Sequence, residues 1–356
     1  MRSKLLIKGG TVWDGETFSK KDVLIKDGFI VDVSPNVEDG TSDVFNAENM
    51  IVSSGLIDSH VHLKGTSTDD IGIESPKISF PFGVTMLIDA SAEQGTLQEL
   101  MNMNCDIRVF VVVGIINNKA DFSFAEKMMA EYKEKVIGLK VYFDETLVEA
   151  WDITPLIDIC EYSAKNNLQV MVHTTNSPAS MYEIVNVLNS GDIISHAFHG
   201  GKNNACCDDF VALKRAKEKG IYIDAALSAY YHIDYSVFKK AVENGYYPDI
   251  ISSDITKELE FVGNEKYGLP ICMSILEELG LDKCSTFKAV TVNPAKIFRL
   301  ENKGSLKVGN IADIAVFKLK DGEVILKDRQ NNKIELKQFL KCVLTVAKDE
   351  IKYIDY

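Results

Sequence analysis

Four of the six histidines in this 356-residue sequence follow short apolar runs. His60 and His62 close Leu56-Ile57-Asp58-Ser59-His60-Val61-His62, His173 ends Gln169-Val170-Met171-Val172-His173, and His196 ends Asp192-Ile193-Ile194-Ser195-His196. Such runs read as buried strands, and imidazoles at the ends of parallel strands would gather at one end of a sheet. On an extended strand both histidines of His60-Val61-His62 point to one face, which makes half of a divalent-cation site. Imidazole suits zinc first, with manganese, iron or nickel as alternatives. Lys140 stands in Val136-Ile137-Gly138-Leu139-Lys140-Val141-Tyr142-Phe143, a run otherwise free of charge. A buried lysine must lose or pair its charge. The neutral amine can do so by taking up carbon dioxide, giving a carbamate able to bridge two cations. The other reading is a lysine that snorkels from the strand end to solvent. Asp254 ends Asp249-Ile250-Ile251-Ser252-Ser253-Asp254. There it would either ligate a cation and take a proton from bound water, or cap a following helix. Tyr142, on the same strand face as Lys140, joins Lys64, His199, Tyr230, Tyr231 and His232 as candidate substrate contacts or simple rim residues.

The elements that must position these groups are of two kinds. Residues 4–52 hold short strand-like pieces broken by Gly, with Asp27-Gly28 as a hairpin signal. The C-terminal stretch repeats this flavour, so 1–52 together with 300–356 is expected to form one small β-sandwich. Between them strands and helices alternate, the pattern of βα units and a parallel sheet. Eight strands are expected at 51–58, 83–89, 106–116, 136–143, 168–173, 192–196, 221–226 and 249–254, with helices at 153–166, 179–189, 208–219 and 235–244. Residues 53–299 are therefore read as a (β/α)8 TIM barrel in an α/β chain. A doubly wound open sheet is the alternative, but no Gly-rich phosphate turn follows the first strand. Barrel active sites lie at the C-terminal strand ends, where the four histidines fall on strands one, five and six.

Composition narrows the function classes. With 46% hydrophobic and 26% charged residues the chain reads as globular, and a net charge of −13 argues against a nucleic-acid partner. No apolar run is long enough to span a bilayer, and that of the first seven residues is too short for a signal peptide. The seven cysteines contain no C-x-x-C pair and read as buried thiols in a reduced, cytoplasmic protein. The adjacent Cys206-Cys207 is a separate candidate for metal or redox chemistry. The expected partner is a small molecule, and a homo-oligomer stays open.

These residues together resemble the amidohydrolase superfamily over almost the whole chain. Its usual opening is matched by Ser54-Gly55-Leu56-Ile57-Asp58-Ser59-His60-Val61-His62, with Ser in place of Pro. Gly83-Val84-Thr85 is similar to its second strand, Ile137-Gly138-Leu139-Lys140 to its carbamylated-lysine strand, and His173, His196 and Asp254 to later ligands. Thr291-Val292-Asn293-Pro294-Ala295 and Gly304-Ser305-Leu306-Lys307-Val308-Gly309 resemble its barrel-exit signature. The resemblance implies two divalent cations, zinc first. His60, His62 and Asp254 would hold one, His173 and His196 the other, and N6-carboxylysine at Lys140 would lie between. It also implies a metal-bridging hydroxide that attacks an amide or ester carbonyl, with Asp254 handling the proton. Within the superfamily the chain looks most like the amidohydrolase/deacetylase group. The expected substrate is accordingly an N-acyl amide, with esters accepted as well. Cyclic amides of the dihydroorotase or hydantoinase kind are the alternative, and a metal-free scaffold the third reading. Two departures stand out: Lys64 occupies the place of a dihydroorotase Arg, and Asp224-Ala225-Ala226-Leu227-Ser228-Ala229-Tyr230-Tyr231-His232 replaces a Gly-His-Gly motif of the deacetylase group.

Overall fold

Both chain ends fold into the same sheet, because their strands alternate buried and exposed residues and neither end has enough apolar surface to close alone. The computed structural model describes residues 4–68, 70–93, 105–348 and 350–355, so residues 1–3 of the N-terminal segment lie outside it. The N-terminal strands are β1 (Lys4–Trp13), β2 (Phe18–Lys26), β3 (Phe29–Ser34), β4 (Asp43–Asn46) and β5 (Ile51–Ser54). Next come β6 (Leu56–Val61), β7 (Val84–Ala92), β8 (Asp106–Val112), β9 (Gly114–Ile116), β10 (Lys119–Asp121), β11 (Val136–Tyr142), β12 (Gln169–His173), β13 (Ile193–Ser195) and β14 (Tyr222–Asp224). The short pair β15 (Phe261–Val262) and β16 (Glu265–Lys266) precedes the C-terminal strands β17 (Ile314–Lys327), β18 (Lys333–Ala347) and β19 (Glu350–Ile354).

The terminal strands run in the order β19-β18-β17-β5-β1-β2-β3, with β4 beside β1. The expected sandwich is thus one continuous hydrogen-bonded sheet. The reason is β5, which pairs in parallel with β1 and antiparallel with β17, so backbone bonds join the two termini edge to edge. Ile7, Val12, Val23, Val52, Ile314 and Leu344 are among the side chains of its own core.

The second sheet is parallel throughout, ordered β6-β7-β8-β11-β12-β13-β14. Its first strand corrects the expected 51–58 run. Gly55 divides that run, donating its N–H to Asp313 O, and only β6 enters the parallel sheet. A Cβ at Gly55 would lie 2.2 Å from Thr85 Oγ1, so no other residue fits without repacking. The expected strand 249–254 has no ladder of its own. The segment carries single parallel bridges, Asp224↔Ile250 on one edge and Val61↔Ile255 on the other, and so links the two edges of a curled sheet. Side chains also hold it: Ser253 N and Oγ donate to Asp58, and Ser252 Oγ donates to Asp224.

Helices at Thr154–Asn166, Met181–Val187, Val211–Lys219 and Tyr235–Glu243 match the expected ones with shorter ends. A Ser180–Glu183 capping box starts the second, Gly220 at φ 72° ends the third, and Asp234 caps the fourth. Inside the curl, Ile57, Met86, Ile88, Phe110, Met171, Ile193 and Ile250 form a closed apolar plug. Alternation does the rest. Met171 faces this plug, and two residues on, at the strand end, the same face presents His173.

Candidate metal centre

The strand ends above that plug carry the polar cluster. His60 and His62 sit at the end of β6, where every residue is buried, with ring centroids 5.5 Å apart. His62 Nε2 lies 2.7 Å from Asp254 Oδ1 and its Nδ1 2.7 Å from Ser91 Oγ at the end of β7. His60 Nε2 is 3.4 Å from the same Asp254 oxygen and 3.1 Å from Lys140 Nζ on β11. From the far side, His196 Nδ1 donates to Ala226 O at 2.8 Å, and its Nε2 faces Asp254 Oδ2 at 3.9 Å. His173 Nε2 is 3.3 Å from Asp144 Oδ2. Among the described residues, the ligand atoms of His60, His62 and Asp254 fall within 4.8 Å of one another, and so do those of His173, His196 and His232. Asp254 faces the second group through His196, and Lys140 lies beside His60.

Two of these residues hold a backbone conformation that non-glycine residues rarely adopt: His196 at φ 65° and Asp254 at φ 49°. Strain of this kind costs about 1–3 kcal/mol and persists where surrounding contacts over-determine it. Here the Asp254 N–H donates to His60 O at 2.8 Å and the His196 N–H to Asp224 O at 3.2 Å.

Burial sets the charge states. It pushes the His60 and His196 imidazoles well below their ordinary value, His173 below it and His232 down to about 3, so all four are neutral. Burial alone would raise Asp254, but the His60 and His62 imidazoles beside it hold the carboxyl well below the usual range, as an anion. The Lys140 amine, 0% exposed, is pushed down to about 8 by burial against the pull of Asp254, Asp224 and Asp89. Among the described residues no carboxylate lies in ion-pair reach of it, and His60 Nε2 lies 3.1 Å from its Nζ.

These groups line a cavity of about 640 Å³ that also takes in Tyr142, Tyr231, His232, Glu93, Asp144 and Asn176. The six expected ligands are all there, as are Tyr142 and His232. Three expected substrate contacts are not. Lys64 is exposed, 3.6 Å from Glu74 in an ion pair, and borders a separate groove because the chain turns outward after His62. His199 is fully buried behind the wall, its Nδ1 accepting from Gly201 N at 3.0 Å. Tyr230 faces an adjoining groove with Arg329. Cys206 donates weakly to Val237 O and Cys207 is exposed; neither belongs to a ligand group among the described residues.

Sequence reasoning passed over Asp144, Asn176, Asp224 and Arg329. Asp144 and Asn176 follow β11 and β12 closely, and their place just past a strand end was a usable signal. Arg329 had none. It comes from the β17–β18 connection and donates to Asn176 Oδ1 at 3.0 Å and to Tyr231 O at 3.4 Å, bracing the mouth from the terminal sheet.

The profile of the amidohydrolase family matches residues 83–349. The chain belongs to this family. Amidohydrolase relatives similar to it over nearly full length include a protein named deacetylase from Enterococcus faecalis, 26% identical over 98% of this chain and 98% of the relative. A second protein named deacetylase, from Agrobacterium fabrum, is 26% identical over 92% of this chain and 85% of its own. The fold is shared with a crystal structure described as a dihydroorotase, with a TM-score of 0.87 and 24% identity over 99% of both chains. No helix among the described residues is long and apolar enough to cross a membrane.

Proposed function

We propose that this amidohydrolase cleaves carbon–nitrogen bonds other than peptide bonds in small N-acyl amides, and accepts acyl esters at the same centre. The observation that carries the proposal is the meeting of His60, His62 and Asp254 with His173 and His196 around Lys140. The donor set fits two divalent cations. Burial holds the His60, His173 and His196 imidazoles neutral, the form that binds metal, and Asp254 reaches toward both groups. Lys140 fits the bridging role, since a buried ammonium without a carboxylate partner is costly and a carbamate would replace it with an anion. His60, His62 and Asp254 would hold one cation, His173 and His196 the other, and carboxylated Lys140 both, with zinc best matched to the donors. Such cations, when bound, lower the pKa of water toward neutrality and polarise a carbonyl.

The protein's own side chains supply the rest. Asp254 Oδ1 is fixed by His62, which leaves Oδ2 to accept a proton from water and return it to the departing nitrogen. Asp144 holds His173 and Asn176, and half-buried Tyr142 and buried Val113 wall the cavity. The 249–255 segment serves as the eighth position of a closed barrel over 53–299, with 1–52 and 300–356 as the supporting unit. Full-length likeness to proteins named deacetylase supports acyl amides over cyclic ones.

Side-by-side turnover of N-acetyl amino acids, acyl hydroxy-acid esters and cyclic ureides tests this reading. Hydrolysis of the first two, lost on metal removal and restored by zinc, is expected. Preference for ureides would move the assignment to the cyclic amidases, and a protein inert and metal-free after zinc or manganese loading would be a scaffold.

A further inference from the structure

We infer that His232 is a third imidazole ligand to the cation that His173 and His196 would hold, a position outside the six-ligand set. The inference rests on the two-cation reading above. Three rings meet here: His232 lies 4.2 Å from His196 and 5.1 Å from His173 between centroids, and those two are 4.7 Å apart. Each ring has one nitrogen engaged by a protein oxygen. His173 Nε2 is beside Asp144 Oδ2 at 3.3 Å, His196 Nδ1 beside Ala226 O at 2.8 Å, and His232 Nδ1 beside Thr175 Oγ1 at 3.2 Å. An oxygen partner at one ring nitrogen fixes the tautomer and frees the lone pair of the other, the arrangement that metal-binding histidines use. The three rings offer ligand atoms within 4.8 Å of one another.

The segment bearing His232 is held in place. Leu227 N and Ser228 N donate to Ser252 O and Ser253 O, and Ala229 N donates to the Tyr267 hydroxyl at 2.8 Å. Ala226, Ser228 and Ala229 all have positive φ, between 38° and 50°, a conformation kept only under constraint. Arg329 ties Tyr231 O from the terminal sheet. A ring delivered by so constrained a backbone suits coordination better than adaptable substrate contact.

With His232 counted, each cation has three protein ligands before Lys140 is modified: His60, His62 and Asp254 for one, three imidazoles for the other. Three protein ligands suffice to bind a divalent cation with an open position. The second site then fills without the carbamate.

The test loads the metal-free full chain with cobalt(II) and measures equivalents bound, affinity by chelator competition, and the visible absorption of the cobalt. Wild type is expected to take two equivalents; one or none would overturn the two-cation reading and this inference with it. Given two, His232→Ala is expected to weaken one of them by at least about tenfold to a hundredfold and to alter the cobalt spectrum. His232→Gln, which keeps a polar side chain of similar reach, serves if the alanine variant does not fold. Two equivalents of unchanged affinity and spectrum in a folded variant, with only KM raised, would overturn the inference and leave the ring a substrate contact. Lys140→Ala is expected to retain one equivalent that Lys140→Ala with His232→Ala loses.

Discussion

Asp254 Oδ1 and His62 Nε2 lie 2.7 Å apart, although 192 residues separate them in the chain. They meet because Val61 bridges Ile255 and the Asp254 N–H donates to His60 O, so the seam that joins the edges of the parallel sheet also brings the carboxylate to the imidazoles. Closure of the sheet and assembly of the site are one event.

Asp254→Asn removes the proposed proton acceptor but keeps the shape. Turnover of the acyl substrate is expected to fall by about 10²–10⁴-fold, the usual range for a lost general acid–base. Metal content measured by emission spectroscopy should stay largely intact. Retained turnover would remove Asp254 from the proton path.

Carbon dioxide reacts with the neutral amine of Lys140, not the ammonium. The folded-state value of about 8 is below that of free lysine, so the reactive fraction is small in acid, grows as pH rises, and levels off above about 8. Uptake of ¹³C-labelled carbon dioxide by metal-free protein, with dissolved carbon dioxide held constant across the pH series and the carbamate carbon signal followed, should track that curve and vanish in Lys140→Ala. A rate flat with pH would contradict it.

Asp144 Oδ2 faces His173 Nε2 at 3.3 Å and also accepts from Asn176 Nδ2 at 3.0 Å. Removing such an outer partner costs about 10–100-fold in metal affinity or activity, and a loss of that size is expected for Asp144→Ala. Chelator competition reads it directly. The His62 group, which Asp144 does not touch, should keep its cation.

Gly55→Ala tests the boundary between the two sheets. The new Cβ would fall 2.2 Å from Thr85 Oγ1 and 2.4 Å from its Cγ2, both on a buried strand. Overpacking of this kind costs about 1–3 kcal/mol. Thermal unfolding should shift down accordingly, and an unchanged midpoint would mean that β7 yields more easily than its contacts suggest.

Arg329→Ala removes donors to Asn176 and to Tyr231 O at the cavity mouth. Each hydrogen bond is worth about 0.5–1.5 kcal/mol net. KM is expected to rise with kcat less affected, since no group at Lys140 or Asp254 is disturbed. A fall confined to kcat would place Arg329 closer to the chemistry.

Much of the site was legible because its determinants are local. Apolar runs ending in His60-Val61-His62, His173 and His196 specify buried strands with imidazoles at their tips, and alternation along a strand fixes which face each imidazole shares with the plug below it. Lys140 stood out for the same reason, as one charge in an apolar run. What the sequence could not decide depends on distant partners. Gly55 splits its strand because Thr85 and Asp313 crowd and bond it, the 249–255 segment is placed by a bond to His60 O on one edge and by those of Ser252 Oγ and Ser253 Oγ to Asp224 and Asp58, and Arg329 reaches Asn176 across 153 residues. Lys64 left the cavity and His232 joined the imidazoles through loop paths that hydrophobic period does not encode. Local pattern determined which residues are candidates for the chemistry; only the tertiary structure, through contacts between elements far apart in the chain, decided which of them meet.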